Sequence, residues 1–210
     1  LTQGGVLRTL QTAPENTVFF LVANGESLPT RAFKVLRSAG VRSIDMLVLS
    51  HEDVDHLGGA LTVLEALEVQ ALASSISRAH PLNTLAAARS RCAAGTRWEW
   101  DGVRFEMLHP AAGPAARRRN DESCVLRVSA GGVSMLLTGD IERGGEIELL
   151  RTAALRADAL LVPHHGSRTS SSLVFAEAVH PALAVVSLSR DNRFRFPHAE
   201  AVARRLRHDG

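Results

Sequence analysis

Four potential metal ligands, His51, Asp53, Asp55 and His56, fall within six consecutive residues of the 210-residue chain. In an extended stretch alternate side chains point the same way, so His51, Asp53 and Asp55 can converge on one side, and a turn can bring His56 back to them. Gly58-Gly59 lets the backbone pass close by without Cβ clashes. Imidazole with carboxylate suits zinc or manganese, and no thiolate stands in the run to favour zinc. The plain alternative is a solvated polar loop whose histidines cap the next helix. Further candidates are scattered: His109 before Pro110, Asp140 after Gly139, the pair His164-His165, and His198. Alone, His109 also reads as a surface histidine, and Asp140 as an acid leading a helix.

These residues need a frame. Residues 44–50 are a nearly continuous apolar run, the pattern of a strand buried on both faces. Helical rhythm follows over 57–67. The ligand run therefore leaves the C-terminal end of a strand, where ligands gather in open α/β sheets. Residues 159–162 predict another buried strand, ending at Pro163-His164-His165-Gly166. Residues 17–22 read as a strand before an Asn24-Gly25 turn, and 29–39 as a helix stopped by Gly40. Two hairpins are predicted, 97–100 with 103–108 about Asp101-Gly102 and 124–128 with 133–137 about Gly131-Gly132. Residues 111–120 read as a loop. A helix capped by Ser170 to Ser172 runs through Val179, a last strand covers 182–187, and a last helix 199–207. Strands mixed with helices throughout predict an α/β fold, and the length predicts a single domain over 1–210.

The pattern His-x-Asp-x-Asp-His-x-Gly-Gly from His51 to Gly59, after an apolar strand, resembles the metal motif of the metallo-β-lactamase superfamily. Most members carry His where this chain has Asp53. With Leu136-Leu137-Thr138-Gly139-Asp140-Ile141-Glu142 and His164-His165-Gly166-Ser167, the sequence is similar to the C-terminal domain of the ComEC family, membrane channel proteins for DNA uptake in naturally competent bacteria. Asn120-Asp121-Glu122-Ser123-Cys124-Val125-Leu126, and Asp191-Asn192-Arg193 through Pro197-His198, also look like that family, so the resemblance runs from about residue 39 to the end.

This resemblance implies an αββα sandwich, two mixed sheets with helices outside. It implies a metal-dependent DNase, hydrolysing phosphodiesters of incoming, single-stranded DNA during natural transformation with two divalent ions roughly 3.5–4 Å apart. Asp140 would bridge the ions. Asp55, His56 and one of His164 and His165 would complete one site, His51 and Asp53 the other, with His109 or His198 as its further ligand. His164, which leaves the strand first, is favoured as ligand, and His165 as the group that orients or protonates the leaving oxygen. Asp53 in place of histidine makes one site more oxygen-rich and leans toward manganese, as the resemblance does, with zinc left open. Ser167, Thr169, Asn192 and His198 are candidate substrate contacts, the first two at a helix start suited to phosphate. The clusters Arg117-Arg118-Arg119 and Arg190, Arg193, Arg195 would track a DNA backbone if they line the cleft.

The resemblance has gaps. Relatives usually carry Asp-x-Gly where this chain reads Leu21-Val22-Ala23-Asn24-Gly25, a Gly-Gln-Gly-Asp segment where it reads Gln3-Gly4-Gly5, and His-Pro-His where it reads Phe196-Pro197-His198. Lost supporting residues weaken metal affinity or activity by roughly 10–100-fold. The alternatives are therefore a catalytically weakened DNA-binding or structural module of the uptake channel, or a hydrolase of a non-nucleic phosphodiester or a lactam or lactone.

Composition is that of an ordinary globular protein, with 45% hydrophobic and 22% charged residues. A net charge of +2 does not by itself imply nucleic acid, but Lys34 is the only lysine, so nearly all cations are arginine, the better bidentate partner of phosphate. No apolar run is long enough to span a bilayer, and Leu1 opens without a signal-peptide pattern, as in a piece cut from a longer chain. The resemblance implies that a membrane channel precedes it, so that this soluble portion is tethered to the inner membrane on its periplasmic face. Cys92 and Cys124 form either two buried thiols or one disulfide. Trp98 and Trp100 share one strand face and suit core packing better than base stacking.

Overall fold

The computed structural model of the chain describes residues 8–13, 16–21, 40–111, 119–188, 192 and 194–206. The first sheet has the order β1-β2-β3-β4-β5, from Arg8–Ala13 (β1), Asn16–Leu21 (β2), Ser43–Leu49 (β3), Glu68–Ser74 (β4) and Ala88–Arg91 (β5). Only the β1–β2 pair is antiparallel; β2 to β5 run parallel. The second sheet has the order β11-β10-β9-β8-β7-β6. Arg97–Trp100 (β6), Val103–His109 (β7), Val125–Ala130 (β8) and Val133–Leu137 (β9) form an antiparallel meander. Ala159–Leu161 (β10) and Leu183–Val185 (β11) join it in parallel.

The apolar pattern of β3 explains its central place. Leu47 and Leu49 face a cluster with Val63 and Leu64, which lie on the helix Ala60–Ala66 (α2). Between them Val48 points the other way and packs against Phe105, Leu126 and Leu137 of the second sheet. Period-two alternation thus serves two cores from one strand. The outer face of the second sheet packs Val125, Leu136 and Leu160 against Leu149 of Arg143–Thr152 (α3) and Phe175 of Leu173–Val179 (α4). Helix, sheet, sheet, helix is the expected αββα layering. Trp98, Trp100 and Phe105 contact one another within the inter-sheet core, so both tryptophans pack as expected.

Several expected elements shift. The single helix over 57–67 is two: Val54–Leu57 (α1) starts at once after Asp53, and α2 resumes beyond Gly58-Gly59. The hairpin strand expected over 124–128 begins at Val125, because Cys124 is bonded to Cys92 and donates its N–H to Ser50 O at 2.9 Å. That disulfide, left undecided by the sequence, ties the end of the first sheet to the start of β8. Ser172 caps α4 through Phe175 N at 3.3 Å, as its sequence suggested. Ala199–Leu206 (α5) ends the described chain, and among the described residues no helix is long and apolar enough to cross a membrane. The expected 29–39 helix, the Asn24-Gly25 turn, Ala23, Arg117, Arg118, Arg190 and Arg193 lie outside the described residues.

Candidate metal centre

Three chain segments meet at the C-terminal ends of β3, β9 and β10. His51 and Asp53 leave β3, and α1 carries Asp55 and His56 in its first turn, so a helix start rather than a loop turn brings His56 inward. Asp140 follows β9. Gly139 has φ +55, and a Cβ there would lie 2.8 Å from Ser123 Cβ and 2.9 Å from Ser50 Cβ. Only glycine lets the backbone come that close to the His51 segment. After β10 the backbone turns sharply, with φ of 46 at His164 and 54 at His165.

That turn settles which histidine faces the cluster. One ligand atom from each of Asp55, His56, Asp140 and His165 lies within 4.8 Å of every other. His56 Nε2 is 3.2 Å from Asp140 Oδ1. His165 Nε2 is 3.4 Å from Asp140 Oδ2 and 3.5 Å from Asp55 Oδ2. His164, favoured from sequence as the ligand, points elsewhere: its Nδ1 is 3.2 Å from Glu142 Oε1 and 3.4 Å from Thr169 Oγ1. Left-handed backbone at both residues rotates the first imidazole to the rim and the second inward.

His51 and Asp53 extend the cluster on one side. The rings of His51 and His56 are 4.1 Å apart, and His51 Nε2 is 3.8 Å from Asp53 Oδ2. The two candidates for a further ligand are not brought here. His109 is fully buried, with Nδ1 2.9 Å from Ser123 O and Nε2 3.6 Å from Glu148 Oε1, so both ring nitrogens are engaged away from the cluster. His198 packs edge-on against Phe196 and donates its backbone N–H to Gly166 O. A Cβ on Gly166 would lie 2.6 Å from Pro197 Cβ, so glycine at this position lets the 194–198 segment close over the turn.

The donor set fits a cation. Nε2 of His51 is buried without a hydrogen-bond partner and that of His56 faces the Asp140 carboxylate, while Nδ1 of both reaches Ser50 Oγ, at 3.1 and 2.9 Å. His165 Nδ1 lies 3.0 Å from Ser187 O. Each ring is therefore held through its outer nitrogen with the inner one turned to the cluster, the arrangement of metal-binding histidines. No sequence signal marked Ser50 or Ser187. Ser123, which lies in the family-like stretch from Asn120 to Leu126, stands 3.3 Å from His51 Nδ1 and accepts the Asp140 N–H at 3.1 Å.

The electrostatics agree. Burial, with the neighbouring His56, pushes His51 down to about 3, so it is neutral near pH 7. Burial would also depress His165, but its hydrogen bonds to Asp140 and Asp55 and their charges outweigh this and raise it to about 10. Burial favours the protonated forms of Asp140 and Asp55, yet the facing imidazoles hold Asp140 well below the carboxylate range and Asp55 below it. A proton on His165 occupies the place a cation would take.

The remaining substrate candidates divide. Thr169 Oγ1 donates to Glu142 Oε1 at 2.9 Å and lies 3.0 Å from Ser167 Oγ, a hydroxyl network beside His164. Asn192 is spent on its own loop, donating to Phe196 O and accepting Phe196 N–H at 3.1 Å. Arg119 is exposed, with Nη2 3.5 Å from Asp53 Oδ1.

Comparison with known proteins agrees with this geometry. Residues 25–190 match the family model of the metallo-beta-lactamase superfamily. The chain is 42% identical over 180 residues to "Competence protein ComA" of Neisseria gonorrhoeae, covering 83% of this chain and 24% of that protein. It is 38% identical to "Recombination protein 2" of Haemophilus influenzae over 77% of this chain and 20% of that one. To "ComE operon protein 3" of Bacillus subtilis it is 33% identical, over 82% and 24%. The chain thus spans about a quarter or less of these relatives' length. Among solved structures, the metallo-beta-lactamase fold protein YhfI of Bacillus subtilis superposes with a TM-score of 0.57 at 12% identity, over 97% of this chain and 84% of that one. A metallo-beta-lactamase of Cronobacter sakazakii gives 0.52 at 14% identity, over 76% and 74%. These two share the fold. With candidate metal ligands gathered where β3 of the first sheet and β9 and β10 of the second end, and a family match across most of its length, the chain belongs to the metallo-beta-lactamase superfamily.

Proposed function

We propose that the chain is a metal-dependent phosphodiesterase that cleaves DNA, single-stranded by preference, during uptake by a membrane channel. The observation that carries this reading is the meeting of Asp55, His56, Asp140 and His165, from positions more than a hundred residues apart, within 4.8 Å of one another. The relative named as a competence protein supports the biological setting. In that setting the parent chain would be tethered to the inner membrane, with this portion on the periplasmic face.

Asp55, His56, Asp140 and His165 would hold one divalent ion, and His51 and Asp53, with Asp140 shared, a second. When bound, such ions supply Lewis-acid polarisation of the phosphodiester and activation of a water. The chain's own groups do the rest. Ser50 and Ser187 fix the imidazoles through their outer nitrogens. His164, backed by Glu142 at 3.2 Å and Thr169, stands beside the cluster, where its Nε2 can hand a proton to the leaving oxygen. The two histidines of the pair thereby exchange the roles suggested by their order in sequence. The donors are imidazole and carboxylate, with both cysteines in a disulfide, which favours manganese and accommodates zinc.

Incubating the protein with labelled single-stranded DNA and manganese or zinc tests the reading. Cleavage that disappears in Asp55→Ala and in Asp140→Asn is expected. DNA retained uncut by the wild type would favour the weakened-module alternative, and hydrolysis confined to small esters or lactams would overturn DNA as substrate.

A further inference from the structure

Two hollows run outward from the His51 side of the centre along the ends of the first sheet. The inner one, about 170 Å³, is lined by His51, Glu52, Ser75, Ser77, Arg91 and Arg119 among others. The outer one, about 210 Å³, is lined by Arg78, Asn83, Arg89, Ser90 and Arg91 together with Ser74 and Ile76. Arg91 borders both, and the segment from Ser74 to Arg78 forms the wall between them, its alternate residues facing either side. At a share of roughly 30 Å³ per water, the outer hollow has room for several waters, or for a phosphate group.

Charge in the two hollows is unequal. In the inner one the cations are balanced: Arg91 Nη2 pairs with Glu122 at 3.2 Å, and Arg119 with Asp53. The outer one is lined by three arginines and no acid. Among the described residues, the guanidinium groups of Arg78 and Arg89 pair with no carboxylate, and both residues are exposed. Strand register fixes the position of this charge. Leu49 pairs with Ser74 and Ser74 with Arg91, so the arginine lies two strands from the β3 end that carries His51. At about 4.8 Å per strand that is about 10 Å, a few phosphates along a nucleic-acid backbone. Arg89 and Arg91 share one side of β5, an exposed edge strand without an apolar face, so packing gives no reason for arginine there.

We propose that the hollow of Arg78, Arg89 and Arg91 seats a backbone phosphate of the DNA strand, outside the reacting phosphodiester and on the His51 side of the centre. The inference rests on DNA being the ligand. It adds a binding subsite and gives the bound strand a direction, from β5 across the ends of β4 and β3.

Fluorescence anisotropy with a labelled single-stranded oligodeoxynucleotide, titrated with salt, tests it. Arg78→Ala/Arg89→Ala should lower the slope of log affinity against log salt by up to about 0.7, the value for one lost phosphate contact on a single strand. Extrapolated from that slope alone, affinity at 0.1 M salt falls about 5-fold. Arg78→Lys/Arg89→Lys should restore most of the slope, since the charge returns. Wild-type affinity and slope in the alanine variant would overturn the subsite while leaving the phosphodiesterase reading standing. Absence of DNA binding by the wild type would overturn both.

Discussion

Ser50→Ala removes one buried oxygen that two histidines share. If both imidazoles present Nε2 to cations, both carry their proton on Nδ1, and both donate to Ser50 Oγ, from 3.1 Å (His51) and 2.9 Å (His56). His51 keeps a second acceptor, Ser123 Oγ at 3.3 Å. His56 Nδ1 has none among the described residues. The substitution therefore strands one buried N–H, at a cost of about 1–3 kcal/mol, and loosens the other ring. This matches the roughly 10–100-fold loss of metal affinity typical when a ligand's outer partner is removed. The fold should tolerate the change, because the backbone carbonyl of Ser50, which accepts Ser75 Oγ and Cys124 N–H, remains. Competition for manganese or zinc against a chromogenic chelator measures the affinity, and thermal unfolding of the metal-free protein checks the fold. Wild-type metal affinity in a folded Ser50→Ala protein would refute the claim that Nδ1 contacts aim these rings.

Further outcomes follow from the same geometry. In the metal-free protein, His165 is raised to about 10, so its stabilising contribution is complete below about pH 6.5 and fades as pH rises through about 10; His51, lowered to about 3, contributes above about 6.5 and loses that contribution as pH falls. Metal binding near pH 8 should accordingly release a proton from His165 and none from His51, and calorimetry in buffers of different ionisation enthalpy would count it. Breaking the Cys92–Cys124 bridge with a double alanine variant should lower stability by about 3–4 kcal/mol, the loop-closure value for a separation of 32 residues, as read by denaturant unfolding. Asp121 Oδ1 accepts the N–H groups of Glu142 and Gly145, both at 2.8 Å, at the start of α3. Asp121→Ala leaves these donors, one buried and one half-buried, unpaired, and denaturant unfolding should show a loss of roughly 2–3 kcal/mol.

The sequence exposed the parts of the fold with a strong local signal. The apolar run of β3, the two hairpins with two-residue loops and the Ser172 cap are local patterns, and each stands within a residue or two of its expected place. Other elements had no such signal, β4, β5 and α3 among them. β4 reads EVQALAS, rich in alanine, and is a strand because β3 and β5 flank it. β5 is polar and exposed throughout. α3 opens with Arg143-Gly144-Gly145, a poor helix start that Asp121 holds from a distant segment. For the centre, residue types and spacing identified His51, Asp53, Asp55 and His56, and Asp140 and the His164-His165 pair stood out through the family resemblance. Which member of that pair faces inward depends on two left-handed residues, and the engagement of His109 on contacts with Ser123 and Glu148. Spacing along the chain carries neither fact.

Anomalous diffraction from a crystal of this protein soaked in manganese tests the central claim most directly. A peak bounded by Asp55, His56, Asp140 and His165 is expected, with a second beside His51 and Asp53. Ions held instead by His164 and Glu142, or by His109, with the inner four left bare, would contradict it.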